Sequence, residues 1–165
     1  MKKLSKALPM HELNYIQTDD ISCLKGFHCG IYEMDKYIQE TLQSHLDTTK
    51  GLLNYIITEN DVVVALCTLK DDKIKIDDHR YIDTVAIEYL AVRREVQNKG
   101  IGREIVSWVV NTTKEIRPEA KFITVDAFMS DVTAYSAVPF YRKCDFVAIQ
   151  KKHPMSETIK MARSI

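Results

Sequence analysis

The stretch from Val85 to Val110 constrains the fold of this chain more than any other part of the sequence. Its first part, Val85 to Val92, is an apolar run rich in β-branched residues, which predicts a buried strand. A charged turn and two glycines follow, and a helix then begins. The apolar face of this helix is marked by residues at helical spacing, namely Ile101, Ile105, Trp108, Val109, Thr112 and Ile116. Pro118 ends the helix, so the stretch predicts a strand, a glycine-bearing loop and a helix in succession.

The start of that helix is suited to binding an anion. The first backbone N–H groups of a helix have no partner within it, and the helix dipole places positive charge there, so phosphates bind at such ends. Gly100 and Gly102 lack a Cβ and therefore let a ligand approach the backbone. Two common phosphate motifs are absent, because Ile105 stands where the dinucleotide fingerprint requires glycine and no Gly-Lys-Ser/Thr sequence occurs.

The segment Gln97-Asn98-Lys99-Gly100-Ile101-Gly102 resembles the Q/R-x-x-G-x-G/A motif of the GNAT acetyltransferases, whose loop holds the pyrophosphate of acetyl-coenzyme A. The alternative is an ordinary strand–loop–helix connection with incidental glycines. The resemblance implies that acetyl-coenzyme A is the co-substrate, and that the residues binding it are Leu90, Ala91, Val92, Gln97, Asn98, Lys99, Gly100, Ile101 and Gly102. It also implies that backbone N–H groups near Leu90 and Val92 donate to the oxyanion of the reaction.

A second segment, Val138 to Phe146, resembles the F-Y-x-K-x-G-F sequence of the same family. The family tyrosine, here Tyr141, lies near the coenzyme A sulfur and can donate its phenolic proton, which makes Tyr141 the candidate general acid. The alternative is a buried core tyrosine. The sequence departs from the family at Asp145, where glycine is usual, and at Ala134, where an asparagine often contacts the pantetheine arm.

Glu88 is the candidate general base, because an unpaired charge in an otherwise apolar strand would be costly. Members of the family frequently carry an acidic residue on this strand, facing the acceptor. The alternative is a structural glutamate paired with a basic neighbour. Asp126 is a similar but weaker candidate.

The remaining elements predict an α/β fold. Strands are expected at 12–17, 52–58, 62–69, 121–128, 146–150 and 157–163, and further helices at 31–46 and 134–143, whereas 71–80 reads as a charged connector. With the resemblance, these elements imply a GNAT fold, a central mixed and mostly antiparallel sheet of six to seven strands, with helices on both faces and a splay at the motif strand. Residues 1–165 are expected to form a single domain.

The sequence constrains the acceptor of the acetyl group less than it constrains the fold. The resemblance implies an N-acetyltransferase that acetylates a primary amine, of a small molecule or a peptide, by direct transfer. Residues 27–30 and 34–38 also resemble a toxin subgroup of the family, which leaves aminoacyl-tRNA as an alternative acceptor. Lysine plus arginine and aspartate plus glutamate both number 23, and this neutrality argues against nucleic acid binding. A non-catalytic acyl-coenzyme A-binding module is the third alternative.

Metal and membrane association are not expected. The four cysteines show no spaced second pair, so no metal site is predicted and reduced thiols are the default. No apolar run is long enough to span a membrane, and the N-terminal residues lack the apolar core of a signal peptide, so a cytosolic protein is expected. A homodimer is left open.

Overall fold

The computed structural model describes residues 11–130, 134–150, 153 and 155–165. Seven strands form one sheet in the order β1-β2-β3-β4-β5-β7-β6. The strands are β1 Leu13–Gln17, β2 Leu53–Glu59, β3 Val62–Lys75, β4 Tyr81–Val92, β5 Phe122–Phe128, β6 Val147–Ala148 and β7 Thr158–Ser164. The α-helices are α1 Tyr32–Glu40, α2 Leu42–Thr48, α3 Ile101–Ile116 and α4 Val138–Lys143. All neighbouring strands are antiparallel except β4 and β5, which confirms the predicted mixed sheet.

The sheet opens between its two parallel strands. Pairing of β4 with β5 runs only from Thr84–Phe122 to Ile87–Val125. Beyond that point β4 continues to Val92 on β3, while β5 continues to Phe128 on β7. A wedge-shaped gap therefore opens beside the last residues of β4, and the predicted splay at the motif strand is confirmed.

A β-bulge lies at the start of this gap. Thr68 pairs with Tyr89 and Leu69 with Ile87, so Glu88 has no partner on β3. Side chains alternate along a strand, and an extra residue shifts that alternation by one. Ile87 and Leu90 accordingly pack on the face that α3 covers, whereas Glu88 and Tyr89 both lie on the opposite face.

Each face of the sheet has its own hydrophobic core. Buried side chains of α3, including Ile105 and Val109, and of α4 pack against one face. Ile38 of α1 and Leu42 of α2 pack against the other face, together with Phe27. Helices on both faces are what the sequence predicted. No helix in the described part of the chain is both long and apolar enough to cross a membrane.

The prediction that residues 71–80 form a charged connector is wrong. β3 extends to Lys75 and β4 begins at Tyr81, so these residues form a long hairpin. Its charged side chains alternate with Ile74, which is opposite Ile82, and Lys73 Nζ lies 3.9 Å from Asp83 Oδ1 across the strands. Cross-strand pairs of this kind support a solvent-exposed ribbon, and polar composition alone had suggested a loop.

Apart from shifts of one residue at strand ends, three other elements differ from the prediction. The expected helix at 31–46 is two helices that break at Thr41, where φ is −124°. The expected strand at 146–150 is reduced to Val147–Ala148. The helix expected at 134–143 begins only at Val138. Ala134 has a φ of 54° that no helix accommodates, and Ser136 pairs with Met129 in an isolated β-bridge. Residues 131–133 lie outside the described part of the chain.

Candidate active site

A cleft of about 770 Å³ lies at the opening of the sheet. The end of β4, the Gln97–Gly102 loop, the first turn of α3 and the helix α4 form its walls. Three cationic side chains line this main cleft, those of Arg94, Arg103 and Lys143, and no carboxylate is among the described residues of its wall. The main cleft is therefore electropositive and suited to a polyanionic ligand.

The loop leads into the N-terminus of α3 with its backbone N–H groups available. Asn98 and Gly100 have left-handed φ values of 61° and 87°, a conformation that glycine adopts without strain. No side chain caps the helix, and its first two residues, Ile101 and Gly102, line the main cleft. Unpaired N–H groups at a helix start, beside cationic side chains, are suited to binding phosphate.

The two glycines of the motif serve different structural purposes. Gly100 supplies the left-handed turn before α3. Gly102 allows α3 to pack closely on α4, since a Cβ at this position would lie 3.1 Å from Cε2 and Cζ of Phe140. That contact is tighter than side chains normally tolerate, so Gly102 helps to place Phe140 and, with it, the neighbouring Tyr141.

Gln97 ties the loop to the end of the motif strand. Its side-chain amide donates to the carbonyl oxygens of Val92, at 2.9 Å, and Cys29, at 2.5 Å. On the other edge of β4 the N–H of Arg93 donates to Val64 O of β3 at 2.7 Å. Backbone groups alternate between the two edges of a strand, so the N–H groups of Leu90 and Val92 point into the gap left by β5. The sheet geometry thus leaves the implied oxyanion donors unpaired by a neighbouring strand.

Lys99 is the one residue of the predicted co-substrate set that does not line the main cleft. Its carbonyl oxygen is instead bound by His11, whose Nε2 lies 2.7 Å away. The other ring nitrogen, Nδ1, lies 2.7 Å from Oε2 of Glu59 at the end of β2. Both partners are acceptors, so the ring satisfies both only when both of its nitrogens carry a proton, which favours the cationic form of the imidazole. The hydrogen bond to Lys99 is the main cause that raises the pKa of His11.

Tyr141 lies at the wall of the main cleft, buried to 6% exposure between Phe140 and Phe146. Its hydroxyl has no hydrogen-bond partner among the described residues. Burial raises the pKa of Tyr141 well above its usual range, so the phenol keeps its proton at neutral pH. A buried phenol that makes no internal hydrogen bond has the features of a proton donor, although its ring packing also serves the core.

The turn after α4 holds this tyrosine in place. Phe146 N–H donates to Tyr141 O at 3.0 Å and Asp145 N–H to Arg142 O at 3.1 Å, which is the Schellman arrangement. Asp145 has the left-handed φ of 68° that the motif glycine would supply. The departure from the family sequence is therefore accommodated without a change in the backbone path.

Glu88 does not share the main cleft with Tyr141. It lines a second pocket of about 330 Å³, here called the side pocket, on the face of the sheet that α1 covers. Its Oε2 lies 3.0 Å from Nζ of Lys70, so the carboxylate is ion-paired, which is the structural alternative that the sequence left open. Asp126 also lines the side pocket and lies 3.9 Å from Lys160 Nζ.

The main cleft and the side pocket meet at the opening of the sheet. On β4, Tyr89 lines the side pocket while Leu90 lines the main cleft. Across the gap, the ring of Phe128 in the side pocket lies 6.4 Å from that of Tyr135 in the main cleft. Ligands bound in the main cleft and in the side pocket would therefore lie on either side of the Tyr89–Leu90 step of β4.

Sequence reasoning missed several residues of the side pocket. They are Glu33, Met34 and Tyr37 of α1, Lys70 and Asp72 of β3, and Tyr89, Phe128 and Lys160. The helical spacing of Glu33 and Tyr37 could have placed them on one face of α1, but nothing in the sequence places that face against β4 and β5. Within the described residues no cluster of three or more His, Cys, Asp or Glu could hold a metal ion.

Comparison with known proteins agrees with this geometry. Residues 52–148, more than half of the chain, match the family model described as an acetyltransferase (GNAT) domain. The protein therefore belongs to the GNAT acetyltransferase family, and the predicted family and fold are confirmed. Acetyl-coenzyme A is the co-substrate of this family, as predicted. No curated protein matches the sequence significantly.

Solved structures with the same fold include several that are described as toxins. A tyrosine-to-phenylalanine mutant of the toxin AtaT, bound to the C-terminus of the antitoxin AtaR and acetyl-CoA, has a TM-score of 0.71 at 19% identity, over 93% of each chain. AtaT complexed with acetyl-methionyl-tRNAfMet has a TM-score of 0.67 at 19% identity, over 90% of this chain and 94% of that one. The KacTA–DNA complex gives a TM-score of 0.66 at 17% identity, over 93% of each chain. At these identities the likeness concerns the fold.

Proposed function

We propose that the protein is an N-acetyltransferase that transfers the acetyl group of acetyl-coenzyme A to a primary amine in the side pocket, by direct attack in a ternary complex. The observation that carries this proposal is the junction of an electropositive cleft with an acidic pocket at the opening of the sheet. The phosphates of coenzyme A suit the main cleft, and an amine suits the side pocket.

The chemistry follows from the residues at that junction. The neutral amine nitrogen attacks the thioester carbonyl, a C–N bond forms, and the oxyanion accepts hydrogen bonds from the N–H groups of Leu90 and Val92. The intermediate collapses, the C–S bond breaks, and the sulfur takes a proton from Tyr141. A free alkylammonium has a pKa near ~10 and must lose one proton to react, and Glu88 accepts that proton directly or through water. The second proton leaves the nitrogen of the intermediate and restores the phenol of Tyr141.

The base assignment is tested by Glu88→Gln, with Lys70→Met as the partner variant. We expect Glu88→Gln to lower turnover most at pH values below the pKa of the acceptor, while acetyl-coenzyme A affinity is retained. Lys70→Met removes only the cation of the ion pair and leaves the Glu88 carboxylate in place. The pH–rate profile of this variant should therefore still show the activity of a general base. A profile of Glu88→Gln identical to that of the parent would contradict the assignment.

A second candidate function is acetylation of the amino group of an aminoacyl-tRNA. It is favoured by the toxin-like segments at residues 27–38 and by the fold shared with AtaT in its acetyl-methionyl-tRNAfMet complex. Under this alternative an antitoxin protein would be a partner, expression would arrest growth, and Tyr141→Phe would relieve the arrest.

The experiment that separates the candidates is a panel of primary amines, peptides and charged tRNAs, assayed by release of coenzyme A thiol. Turnover with amines or peptides supports the first function, and turnover confined to charged tRNA supports the second. Binding of acetyl-coenzyme A without turnover on any acceptor would identify a non-catalytic acyl-coenzyme A-binding module. The single domain and the cytosolic location stay predictions. The possible homodimer also stays a prediction, which light scattering can check.

A further inference from the structure

Glu33 differs from the other acidic residues of the side pocket in having a buried oxygen without a hydrogen-bond partner. It lies in the first turn of α1, where negative charge is favoured. Its Oε1 accepts a hydrogen bond from Ser130 Oγ at 3.1 Å. Its Oε2 is buried and meets no donor among the described residues. A buried carboxylate oxygen without a donor is unfavourable unless a ligand supplies one.

The remaining carboxylates of the side pocket are neutralised by lysines. Lys70 pairs with Glu88 at 3.0 Å, and Lys160 lies 3.2 Å from Asp72 and 3.9 Å from Asp126. No lysine, arginine or histidine of the described chain lies within ion-pair distance of Glu33. Four carboxylates against two lysines leave the wall with excess negative charge, and Glu33 is where that charge has no counterion.

The other walls are aromatic and apolar. The rings of Tyr37 and Tyr89 stack with centroids 4.4 Å apart, and Tyr37 OH is held at 2.5 Å from His45 Nδ1. Met34 and Phe128 complete this surface. Aromatic faces attract cations as well as apolar groups. The volume of about 330 Å³ suits a small organic group.

We infer that Glu33 binds the acceptor amine in its cationic form, and that the acceptors are amines whose positive charge lies next to a short apolar or aromatic group. This inference rests on the proposed acetyl transfer to an amine. The ammonium donates to Oε2 of Glu33, and its proton leaves towards Glu88 or water before the nitrogen attacks. Glu33 thus determines which acceptors enter, and the deprotonated nitrogen then moves to the junction with the main cleft, where it attacks.

Binding of a matched pair of probes tests this without turnover. 2-Phenylethylamine is a cation at neutral pH, and 2-phenylethanol has a similar shape without charge. With the full chain saturated with coenzyme A, we expect calorimetry to show about tenfold or more tighter binding of the amine. Glu33→Gln should abolish that preference, because glutamine keeps the shape and an acceptor for Ser130. Glu40→Gln, at an exposed position of the same helix, should retain it.

A preference that persists in Glu33→Gln, or that is absent from the parent, overturns the inference. Coenzyme A affinity and circular dichroism report whether Glu33→Gln is folded, and Glu33→Asp, which keeps the charge but shortens its reach, should give an intermediate preference. Kinetics with an accepted amine should show a raised KM for the amine and an unchanged KM for acetyl-coenzyme A. If the probe preference holds but no amine is acetylated, the proposed function fails while the cation site stands.

Discussion

At the scale of single residues, Tyr141 has both a ring that is packed in the core and a hydroxyl group that is free to act at the main cleft. Its ring packs between Phe140 and Phe146, and its hydroxyl reaches the wall of the main cleft without an internal partner. The sequence alone left a core role and a catalytic role equally open. The two roles respond differently to the loss of one oxygen atom.

We predict that Tyr141→Phe lowers turnover by roughly two to four orders of magnitude, the usual range for a general acid. The melting temperature and the affinity for acetyl-coenzyme A should change little, because ring burial is preserved. Tyr81→Phe, on the exposed hairpin, is the matched control and should behave as the parent. A loss of stability with turnover within a few-fold would assign Tyr141 to the core.

His11 links the co-substrate loop to the end of β2 through Lys99 O and Glu59. Besides Glu59, the carboxylate of Glu104 on α3 faces it and also raises its pKa. A pKa raised in the folded state means that the contacts stabilise the fold fully below the unfolded pKa of about 6.5. Their contribution is then lost as pH rises through the folded pKa.

We therefore predict that the stability advantage of the parent over His11→Gln is greatest near about pH 6 and shrinks towards about pH 9. Melting temperatures measured across this range give the difference directly. His79→Gln, in the exposed turn of the hairpin, is the control and should show no such trend. An advantage that is constant with pH would mean that His11 binds Lys99 O in its neutral form.

At the scale of elements, the loop before α3 combines a backbone requirement with a proposed binding role. Gly100 has a φ of 87°, so any substitution there strains the backbone. Gly51 has nearly the same φ, 84°, and open space where a Cβ would be added, but it precedes β2 rather than the main cleft. Substituting each of these two glycines in turn therefore distinguishes the effect of backbone strain from an effect on ligand binding.

We predict that Gly100→Val and Gly51→Val each cost about 1–2 kcal/mol of stability, the cost of a left-handed conformation for a residue with a Cβ. Only Gly100→Val should weaken acetyl-coenzyme A binding, by about tenfold or more, which corresponds to about 1.4 kcal/mol. Isothermal calorimetry and thermal melts measure the two effects. Equal affinities in the two variants would mean that the loop is not the phosphate site.

At the scale of the whole molecule, a chain with no net charge carries two sites of opposite charge. Cationic side chains of the turn after β4, of α3 and of α4 line the main cleft, while carboxylates from α1, β3, β4 and β5 line the side pocket. The balance of 23 basic and 23 acidic residues therefore says little about what either site binds. Only the placement of the charges is informative.

We predict that Lys143→Glu weakens acetyl-coenzyme A binding by about threefold to tenfold at low salt, and less at high salt, since the ligand charges are screened. Lys114→Glu is the matched control, because both lysines lie in the last turn of a helix and share the same dipole cost. Calorimetry at two ionic strengths should show the effect for Lys143→Glu alone. Equal losses of affinity in the two variants would indicate a change in the overall electrostatic potential of the protein rather than the loss of a local contact between Lys143 and the ligand.

Local sequence patterns were enough for much of this protein. The strand–loop–helix at 85–116 and the helix stop at Asp145 follow from residue types within about ten positions of one another, because hydrogen bonding and turn conformation are local. Tyr141 is a candidate acid through the resemblance of residues 138–146 to the family sequence, and that role stays a prediction. The long hairpin was missed because its alternation of charge with Ile74 was read as solvated loop rather than as a two-faced ribbon.

The remaining features of the two sites were decided only by the tertiary structure, because they depend on contacts between segments that are distant in the sequence. The bulge that turns Glu88 and Tyr89 to one face arises from register with Thr68 and Leu69, about twenty residues earlier. The ion pair of Glu88, the isolation of Glu33 and the clamp of His11 on Lys99 each join elements that no periodicity relates. Burial and electrostatics act through space, so these sites exist only once the sheet has opened between β4 and β5 and the helices have packed on its two faces.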